Sequence, residues 1–235
     1  MPAYFADAES QRRFTRRMFD ASARNYDRVD RLLALGSGSR YRRLALLRAG
    51  LAPGMRMLDV AVGTGLVARE AVAVVGDRGR VVGVDPSAGM LAQSDAHGVS
   101  LARGCAEALP FEARSFDFLS MGFALRHLAD LRTAFREFHR VLRPGGKLLM
   151  LEITRPEGRI AAAALKAYLH GLVPALTRLV TRSADTSALY RYYWDTIEAC
   201  VPPEGILAAM TSAGFAGASR RVQLGVFSEY SASAG

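Results

Sequence analysis

Two apolar segments that carry aspartates, with a glycine turn between them, constrain the fold of this chain more than any other feature. Residues 58–65 read LDVAVGTG, and residues 81–85 read VVGVD, which places Asp85 at the end of the second segment. Because glycine has no Cβ, the backbone at Gly63 and Gly65 can approach a ligand closely. Nucleotide-binding α/β folds hold the ribose hydroxyls of an adenosine with an acid at this position. The pattern therefore predicts a site for an adenosine-containing cofactor.

Strand-like and helix-like segments alternate along the chain, which predicts an α/β fold with a doubly wound, mainly parallel, seven-stranded sheet. The predicted strands cover residues 56–60, 80–85, 100–104, 116–121, 147–153, 218–223 and 226–230. The predicted helices cover residues 66–75, 88–94, 130–142 and 204–213. The last two strands are short and adjacent, so we expect them to form a closing hairpin.

The chain of 235 residues predicts a single domain, residues 1–235, in four parts. These parts are an N-terminal helical cap at 1–50, a cofactor-binding core at 51–153, a helical substrate cap at 154–200, and a C-terminal helix and hairpin at 201–235. The Ala- and Leu-rich segment 160–182 contains Pro174, which is expected to kink it. It reads equally well as a cap helix over the cofactor site and as an ordinary core helix.

Charge is distributed unevenly along the chain. The formal net charge is +9, and residues 1–50 hold eleven arginines against five acids. This basic segment could contact anionic lipid headgroups or acidic partners at a membrane surface, or it could be a solvated helical face. Cys105 and Cys200 have no metal-ligand spacing, so we expect no metal and a reducing cytoplasm. No secretory leader or membrane-spanning run is recognised, and a homodimer is left open.

Two cofactors compete for the glycine turn. Residues 63–68 satisfy the dinucleotide pattern G-x-G-x-x-G/A, with Asp85 at the distance of a ribose acid. Asp59, however, lies four residues before Gly63, and a fixed carboxylate is awkward beside a pyrophosphate. It suits the ammonium in the methionine part of S-adenosylmethionine, which favours that cofactor.

Further motifs occur in a characteristic order and identify a resemblance. The chain resembles the ubiquinone/menaquinone C-methyltransferases, within the class I S-adenosylmethionine-dependent methyltransferases with their Rossmann-like fold. The matching segments are NYD at 25–27, LDVAVGTG at 58–65, DPSAGML at 85–91, AEALPF at 106–111, SFD at 115–117, GFALR at 122–126, RVLRPGG at 140–146, LE at 151–152, YRY at 190–192 and AGF at 213–215.

The resemblance implies a set of cofactor-binding residues. Thr64 and its neighbouring glycines would line the methionine side, Asp85 would bind the ribose, and Tyr26 would close over the cofactor from the N-terminal helices. Adenine would lie against Met90, with Cys105 and Ala106 at its edge. The full expected set is Tyr26, Asp59, Ala61, Gly63, Thr64, Gly65, Asp85, Met90, Cys105, Ala106 and Gly122.

Several positions depart from the family pattern, and some lie on the acceptor side. Ala61 stands where a glycine is usual, and Cys105 replaces an Asp or Asn that accepts from the adenine amino group. The thiol is a weaker acceptor, and its loss of that contact would cost about 1 kcal/mol of binding. The other departures are Gly122 for a serine, His127 for an Asn after Arg126, Asp30 for an Asn, and Glu229 for a histidine.

The catalytic candidates are Arg126 and His127, which follow the fourth predicted strand on the acceptor side. The arginine could stabilise a phenolate, and the imidazole could take a proton near physiological pH. Arg126 could instead pair with Asp130 or Asp117, and His127 could be a surface histidine at a helix start. Pocket walls are also expected from Tyr190, Tyr192, Tyr193 and Trp194, although such aromatics are as often core.

The function expected from the resemblance is methylation of a carbon in a hydrophobic phenol or quinol, with S-adenosylmethionine as donor. An alternative is a methyltransferase of specialised metabolism that acts on C, N or O of a natural product. A non-catalytic cofactor- or lipid-binding scaffold and a nicotinamide-dependent oxidoreductase are weaker alternatives. A nucleic-acid methyltransferase is also weaker, because residues 121–124 read MGFA where amino-methylating enzymes have Asn/Asp-Pro-Pro-aromatic.

Overall fold

A seven-stranded sheet with helices on both faces forms the body of the protein. The computed structural model describes residues 7–33, 36–96, 98–175 and 192–235. The strands are β1 (Met57–Val60), β2 (Val81–Asp85), β3 (Ser100–Arg103), β4 (Phe116–Gly122), β5 (Leu142–Ile153), β6 (Phe215–Gln223) and β7 (Phe227–Ala234). Their order across the sheet is β3-β2-β1-β4-β5-β7-β6. Only β7 runs antiparallel to its neighbours, so the predicted α/β fold and closing hairpin are confirmed.

Helices cover both faces of this sheet. They are α1 (Ala8–Leu33), α2 (Gly38–Arg48), α3 (Leu66–Val75), α4 (Ala88–Ala92), α5 (Leu131–Val141), α6 (Arg159–Lys166), α7 at residues 192–198, and α8 (Pro203–Ser212). The core on one face includes α5 and α8, with Phe135, Phe138 and Met210 fully buried. The core on the other face includes α2 and α3, with Leu46 and Ala71 fully buried.

The junction between α5 and β5 differs from the prediction. Asp130 caps the start of α5 by accepting from the backbone N–H groups of Arg132 and Thr133, but the helix ends at Val141 and β5 begins at once. The pairing of β4 with β5 moves from Phe116–Leu142 to Phe118–Lys147. The Pro-Gly-Gly segment at 144–146 thus lies inside β5, whereas the sequence predicted that this strand begins only at residue 147.

The segment after β5 is helical but irregular. Helix α6 continues as a wide π-helical turn, Ala167–Leu172, immediately before Pro174. Proline has no N–H, and its ring crowds the carbonyl four residues earlier. The helix accommodates Pro174 by widening this turn, which is how the predicted distortion occurs. Residues 176–182 of the predicted helix lie outside the described residues, as do Tyr190 and Arg191. The division of the chain into four functional parts stays a prediction.

The strand order determines where a ligand can bind. From β1 the chain moves to β2 and β3 on one side, then crosses to β4 on the other side. Such a reversal opens a crevice at the carboxyl ends of the strands. The carboxyl ends of β1, β2 and β4 meet there, because these strands are parallel to one another in the sheet.

Candidate functional site

A cavity of about 320 Å³ lies at the carboxyl ends of β1, β2 and β4, beneath α1. Most of the residues predicted from the sequence meet in its wall: Tyr26, Asp59, Ala61, Gly63, Thr64, Asp85, Met90, Cys105, Ala106, Gly122 and His127. Among the described residues, Gly65 and Arg126 do not line this cavity. The sheet therefore brings together a set of residues that are far apart in the sequence.

Asp59 is a buried carboxylate with one unused oxygen. Its Oδ1 accepts a 2.5 Å hydrogen bond from the Ser120 hydroxyl, which lies opposite it on β4. Its Oδ2 is buried and has no partner among the described residues. Burial raises the pKa of Asp59 to about 7, although the Ser120 hydroxyl, the backbone N–H of Ala68 and the charge of Arg42 lower it in part. An oxygen left in this state is suited to a positively charged ligand group.

Asp85 closes the glycine turn from the neighbouring strand. Its Oδ2 accepts from the backbone N–H of Gly63, and its Oδ1 accepts from that of Ser87, both at 2.8 Å. Burial raises the pKa of Asp85 to about 6. The Gly65 N–H is also used, since it donates to the carbonyl of Val62. These amides are not free to cradle a pyrophosphate, which removes the main support for the dinucleotide alternative.

Gly65 has a different role from the one expected, whereas Gly63 lines the cavity with open space beside it. Gly65 has a φ of +90°, and a Cβ there would lie 2.7 Å from the Cβ of Ala96, so its constraint is packing within the protein. At Gly63 an added Cβ would meet only the Ala61 carbonyl at 4.0 Å. Ala61 itself has a φ of +56°. A left-handed conformation costs a non-glycine residue about 1 kcal/mol, which explains why glycine is usual at this position.

Helix α1 is fastened across the cavity by two aspartates. Asp20 accepts from the Ser87 hydroxyl at 2.6 Å and from the Gly89 N–H at 2.8 Å, which ties α1 to the start of α4. Asp27 accepts from the Thr64 hydroxyl and lies 3.3 Å from the Arg69 guanidinium, which ties α1 to the glycine turn. The helix that covers the cavity is thus attached both to the glycine turn and to the loop that follows β2.

His127 lies in the cavity wall within an aromatic cluster. Its ring stacks on Tyr192, with centroids 5.4 Å apart and planes inclined by 17°, and meets the edge of Phe19 at 5.3 Å. Both ring nitrogens are buried without a hydrogen-bond partner among the described residues. Burial, assisted by the charge of Arg126, lowers the pKa of His127 well below 6.5. The alternative of a surface histidine is wrong, and the imidazole is neutral.

Arg126 points away from the cavity into a buried ion pair. Its guanidinium binds Glu152, and it also donates to the carbonyl of Phe123 and the hydroxyl of Thr196. Neither side chain of the pair is more than 1% exposed. The alternative that Arg126 pairs with Asp130 or Asp117 is therefore wrong, because its partner is Glu152. The guanidinium also lies 4.7 Å from the ring centroid of Tyr193, so it positions α7 against β5.

The structure adds residues that the motifs did not indicate. Arg12, Thr15, Arg16 and Phe19 of α1 line the cavity, as do Arg42 of α2 and Phe123 after β4. Tyr192 and Trp194, expected as pocket walls, are instead buried in a separate core cluster with Val29. Helical periodicity places residues on one face of α1, but it does not say what that face covers. Only the packing of α1 and α2 on the sheet reveals these contacts.

Neither a metal-ligand cluster nor a membrane-spanning helix is found within residues 7–33, 36–96, 98–175 and 192–235. In those four ranges, no group of three or more His, Cys, Asp or Glu side chains is arranged to hold a metal ion. No helix built from those residues is long and apolar enough to cross a membrane.

Comparison with known proteins gives a family over most of the chain. The model of the ubiE/COQ5 methyltransferase family matches residues 6–230. The ubiquinone/menaquinone biosynthesis C-methyltransferase UbiE of Hahella chejuensis is 34% identical, over 84% of this chain and 82% of that protein. The enzyme of the same name from Syntrophotalea carbinolica is 36% identical, over 86% of this chain and 85% of that protein.

Solved structures share the fold at lower identity. A methyltransferase from Thermotoga maritima that depends on S-adenosylmethionine superposes with a TM-score of 0.66 at 21% identity, covering 93% of this chain and 99% of that one. Haemonchus contortus phosphoethanolamine N-methyltransferase 2, in complex with S-adenosyl-L-methionine, gives a TM-score of 0.58 at 22% identity, covering 82% of this chain and 52% of that one. These likenesses support the fold.

The raised pKa of Asp59 predicts that the ionised carboxylate destabilises the folded protein at alkaline pH, and that Asp59→Asn removes this destabilisation. Between the usual value of 3.8 and about 7, the folded protein holds a proton on Asp59 that the unfolded chain has lost. The free energy of unfolding of the cofactor-free protein should therefore fall as pH rises through this window. Asp59→Asn should be more stable than the parent at pH 8, by roughly 1 to 3 kcal/mol. Urea unfolding from pH 4 to 8 checks this, and a difference independent of pH would contradict it.

The buried pair predicts a large loss when one partner is neutralised. Glu152→Gln leaves the Arg126 charge buried without its counter-ion, which should lower the free energy of unfolding by about 3 to 5 kcal/mol. Glu198→Gln is the matched control, because its pair with Arg155 is exposed and 3.9 Å long. It should change stability by less than about 0.5 kcal/mol. Equal effects of the two substitutions in denaturant unfolding would disprove the assigned role.

Proposed function

The chain belongs to the ubiE/COQ5 methyltransferase family and uses S-adenosylmethionine, and we propose that it methylates a ring carbon of a hydrophobic phenol or quinol. The observation that carries this proposal is the composition of the acceptor end of the cavity. Aromatic and apolar side chains there surround His127, a neutral buried histidine with two unused nitrogens. Two relatives at 34% and 36% identity have names that specify C-methylation in ubiquinone and menaquinone biosynthesis.

The residues of the cavity fit the cofactor. When bound, S-adenosylmethionine supplies an electrophilic methyl group on a sulfonium sulfur. Asp59 offers an unused carboxylate oxygen to the positive methionine end, and Asp85 offers the carboxylate for the ribose hydroxyls. Met90 is buried beside the expected adenine position, and Cys105 and Ala106 border it. The cover formed by α1 excludes water, so the protein's task is to align donor and acceptor.

His127 is proposed to bind the acceptor hydroxyl as a neutral imidazole. A ring nitrogen that accepts from this hydroxyl raises electron density at the neighbouring ring carbon, which is then the nucleophile. The low pKa of His127 disfavours the imidazolium form. We therefore propose that His127 accepts a hydrogen bond from the acceptor hydroxyl and does not remove its proton completely. Arg126 is proposed to act indirectly. It fixes Tyr193 beside His127, and its charge adds to the burial that lowers the pKa of the imidazole.

Two of the family departures have a structural partner in the chain. Glu229 forms a bidentate ion pair with Arg48, and Asp30 pairs with Arg42. Glu229 is not among the described residues that line the cavity, so its difference from histidine says little about the acceptor. Cys105, Gly122 and His127 do line the cavity. Because these three departures from the family pattern lie in the cavity wall, a natural product is the alternative acceptor.

Methyl transfer tests the proposal directly. The purified protein should move label from S-adenosylmethionine to the ring carbon of a demethylquinol. His127→Phe keeps the aromatic stacking but removes both nitrogens, and should lower kcat/KM by about 10-fold or more without changing donor affinity. Because the pKa of His127 is well below 6.5, protonation of this residue should not lower kcat/KM of the parent as the pH falls through 6.5.

The acceptor panel separates the alternatives. Transfer to a polyketide or alkaloid phenol but to no quinol would replace the quinol with a specialised-metabolism acceptor. No transfer to any acceptor, despite measured donor binding, would favour a non-catalytic scaffold. Equal activity of the parent and His127→Phe would remove His127 from the acceptor site.

We also propose that α2 contacts an anionic membrane surface. Arg40, Arg43, Leu44 and Leu47 lie at helical spacing on its solvent face, and the two leucines are 42% and 48% exposed. Apolar side chains flanked by arginines are suited to the headgroup region, where a prenylated acceptor would be reached.

Vesicle flotation checks this contact. Binding should require phosphatidylglycerol and should be lost in the double variant Leu44→Ser, Leu47→Ser, because the apolar anchor is removed. Leu224→Ser is the control, since this leucine is 88% exposed and lies in the turn between β6 and β7, outside α2. Equal flotation of both variants, or no flotation of the parent, would contradict the proposal.

A further inference from the structure

Arg42 is a buried cation in the cavity wall that no motif indicated. It lies on α2 and is only 4% exposed. Its Nη2 donates a 2.6 Å hydrogen bond to Asp30, and its guanidinium lies 5.7 Å from the ring centroid of Phe123. Its Nε is buried and has no partner among the described residues. Burying a guanidinium N–H without an acceptor costs free energy of folding. This N–H is therefore suited to donate to a ligand that enters the cavity.

The carboxylate of Asp59, in the wall of the same cavity, also has a buried atom without a hydrogen bond. Asp59 presents Oδ2, which is buried and also lacks a partner among the described residues. Burial raises the pKa of Asp59, and Arg42 is among the charges close enough to lower it again. Both side chains also line the cavity, as do Thr64 and Tyr26.

The other arginines near the cavity are placed less well for an anion at this end. Arg126 is paired with Glu152 and does not line the cavity among the described residues. Arg69 pairs with Asp27 and Asp95. Arg12 is half-exposed and lies 3.6 Å from Glu107, beside the expected adenine edge. Arg16 of α1 also lines the cavity but is partly exposed, which leaves Arg42 as the buried arginine in the lining with Asp59.

The methionine part of the cofactor carries an ammonium and a carboxylate on one carbon. We propose that Arg42 binds the α-carboxylate of S-adenosylmethionine through its free Nε–H, while Asp59 binds the α-ammonium. A planar guanidinium is suited to a carboxylate, and Asp30 holds it in place from the other side. The pairing gives both orphaned groups a partner and places opposite charges against each end of the zwitterion. It rests on the use of S-adenosylmethionine as cofactor.

Calorimetry with three ligands tests this assignment on the intact chain. The ligands are S-adenosylmethionine, its decarboxylated form, which keeps the ammonium, and 5′-methylthioadenosine, which lacks the amino-acid part. The parent should bind S-adenosylmethionine about 10- to 100-fold more tightly than the decarboxylated form, as expected for a buried charge-assisted hydrogen bond. Arg42→Met should remove this preference and leave the affinity for 5′-methylthioadenosine unchanged.

Two further variants give the controls. Asp59→Asn should weaken both ammonium-bearing ligands but not 5′-methylthioadenosine, because that ligand has no charge for Asp59 to bind. Arg28→Met removes an exposed arginine of α1 that does not line the cavity, and it should leave all three affinities as in the parent. Arg42→Lys keeps the charge and should retain part of the preference, because an ammonium lacks the planar fork of the guanidinium.

Each outcome decides the assignment. Equal binding of S-adenosylmethionine and its decarboxylated form by the parent would overturn it, whether or not Arg42→Met folds. Equal weakening of all three ligands by Arg42→Met would assign Arg42 a structural role with Asp30 and Phe123, and would also overturn it. Failure of the parent to bind any of the three would instead remove the cofactor assignment on which the inference rests.

Discussion

The parallel arrangement of β1, β2 and β4 is the constraint on which the rest of the structure depends. It brings the carboxyl ends of the three strands to one edge and buries Asp59 and Asp85 there. Burial raises the pKa of each carboxyl group, to about 7 for Asp59 and about 6 for Asp85, so the folded protein carries an electrostatic cost at this edge. A ligand with positive charge and hydroxyl groups offsets that cost. Folding thus leaves two buried polar atoms in the cavity wall, Oδ2 of Asp59 and Nε of Arg42, without a hydrogen bond among the described residues.

The helices that cover this edge connect the cofactor region with the acceptor region. Asp20 and Asp27 tie α1 to α4 and to the glycine turn. Phe19, on the same helix, packs against His127 and Tyr193. The Arg126–Glu152 pair then holds α7 through Thr196 and Tyr193. One continuous set of contacts therefore runs from the expected ribose position to the aromatic end of the cavity.

Some expectations from the sequence failed because they depend on contacts between distant segments. Arg126 follows β4 as predicted, but its partner is Glu152, which lies 26 residues further along the chain. Gly65 was expected to allow close approach of a ligand, whereas its missing side chain makes room for Ala96. His127 was weighed as a proton acceptor or a surface residue, and burial makes it neutral. In each case the residue type was informative, but its environment decided what it does.

The sequence by itself determined the fold class, the order of strands and helices, and most of the residues that meet in the cavity wall. These follow from local patterns: apolar runs of strand length, helical periodicity, and glycines and acids at fixed spacing. Only the tertiary structure decided which helix covers the cavity, which charges remain unpaired, and that Arg42 stands beside Asp59. Burial and pairing depend on where distant segments pack, and no local pattern along the chain records that.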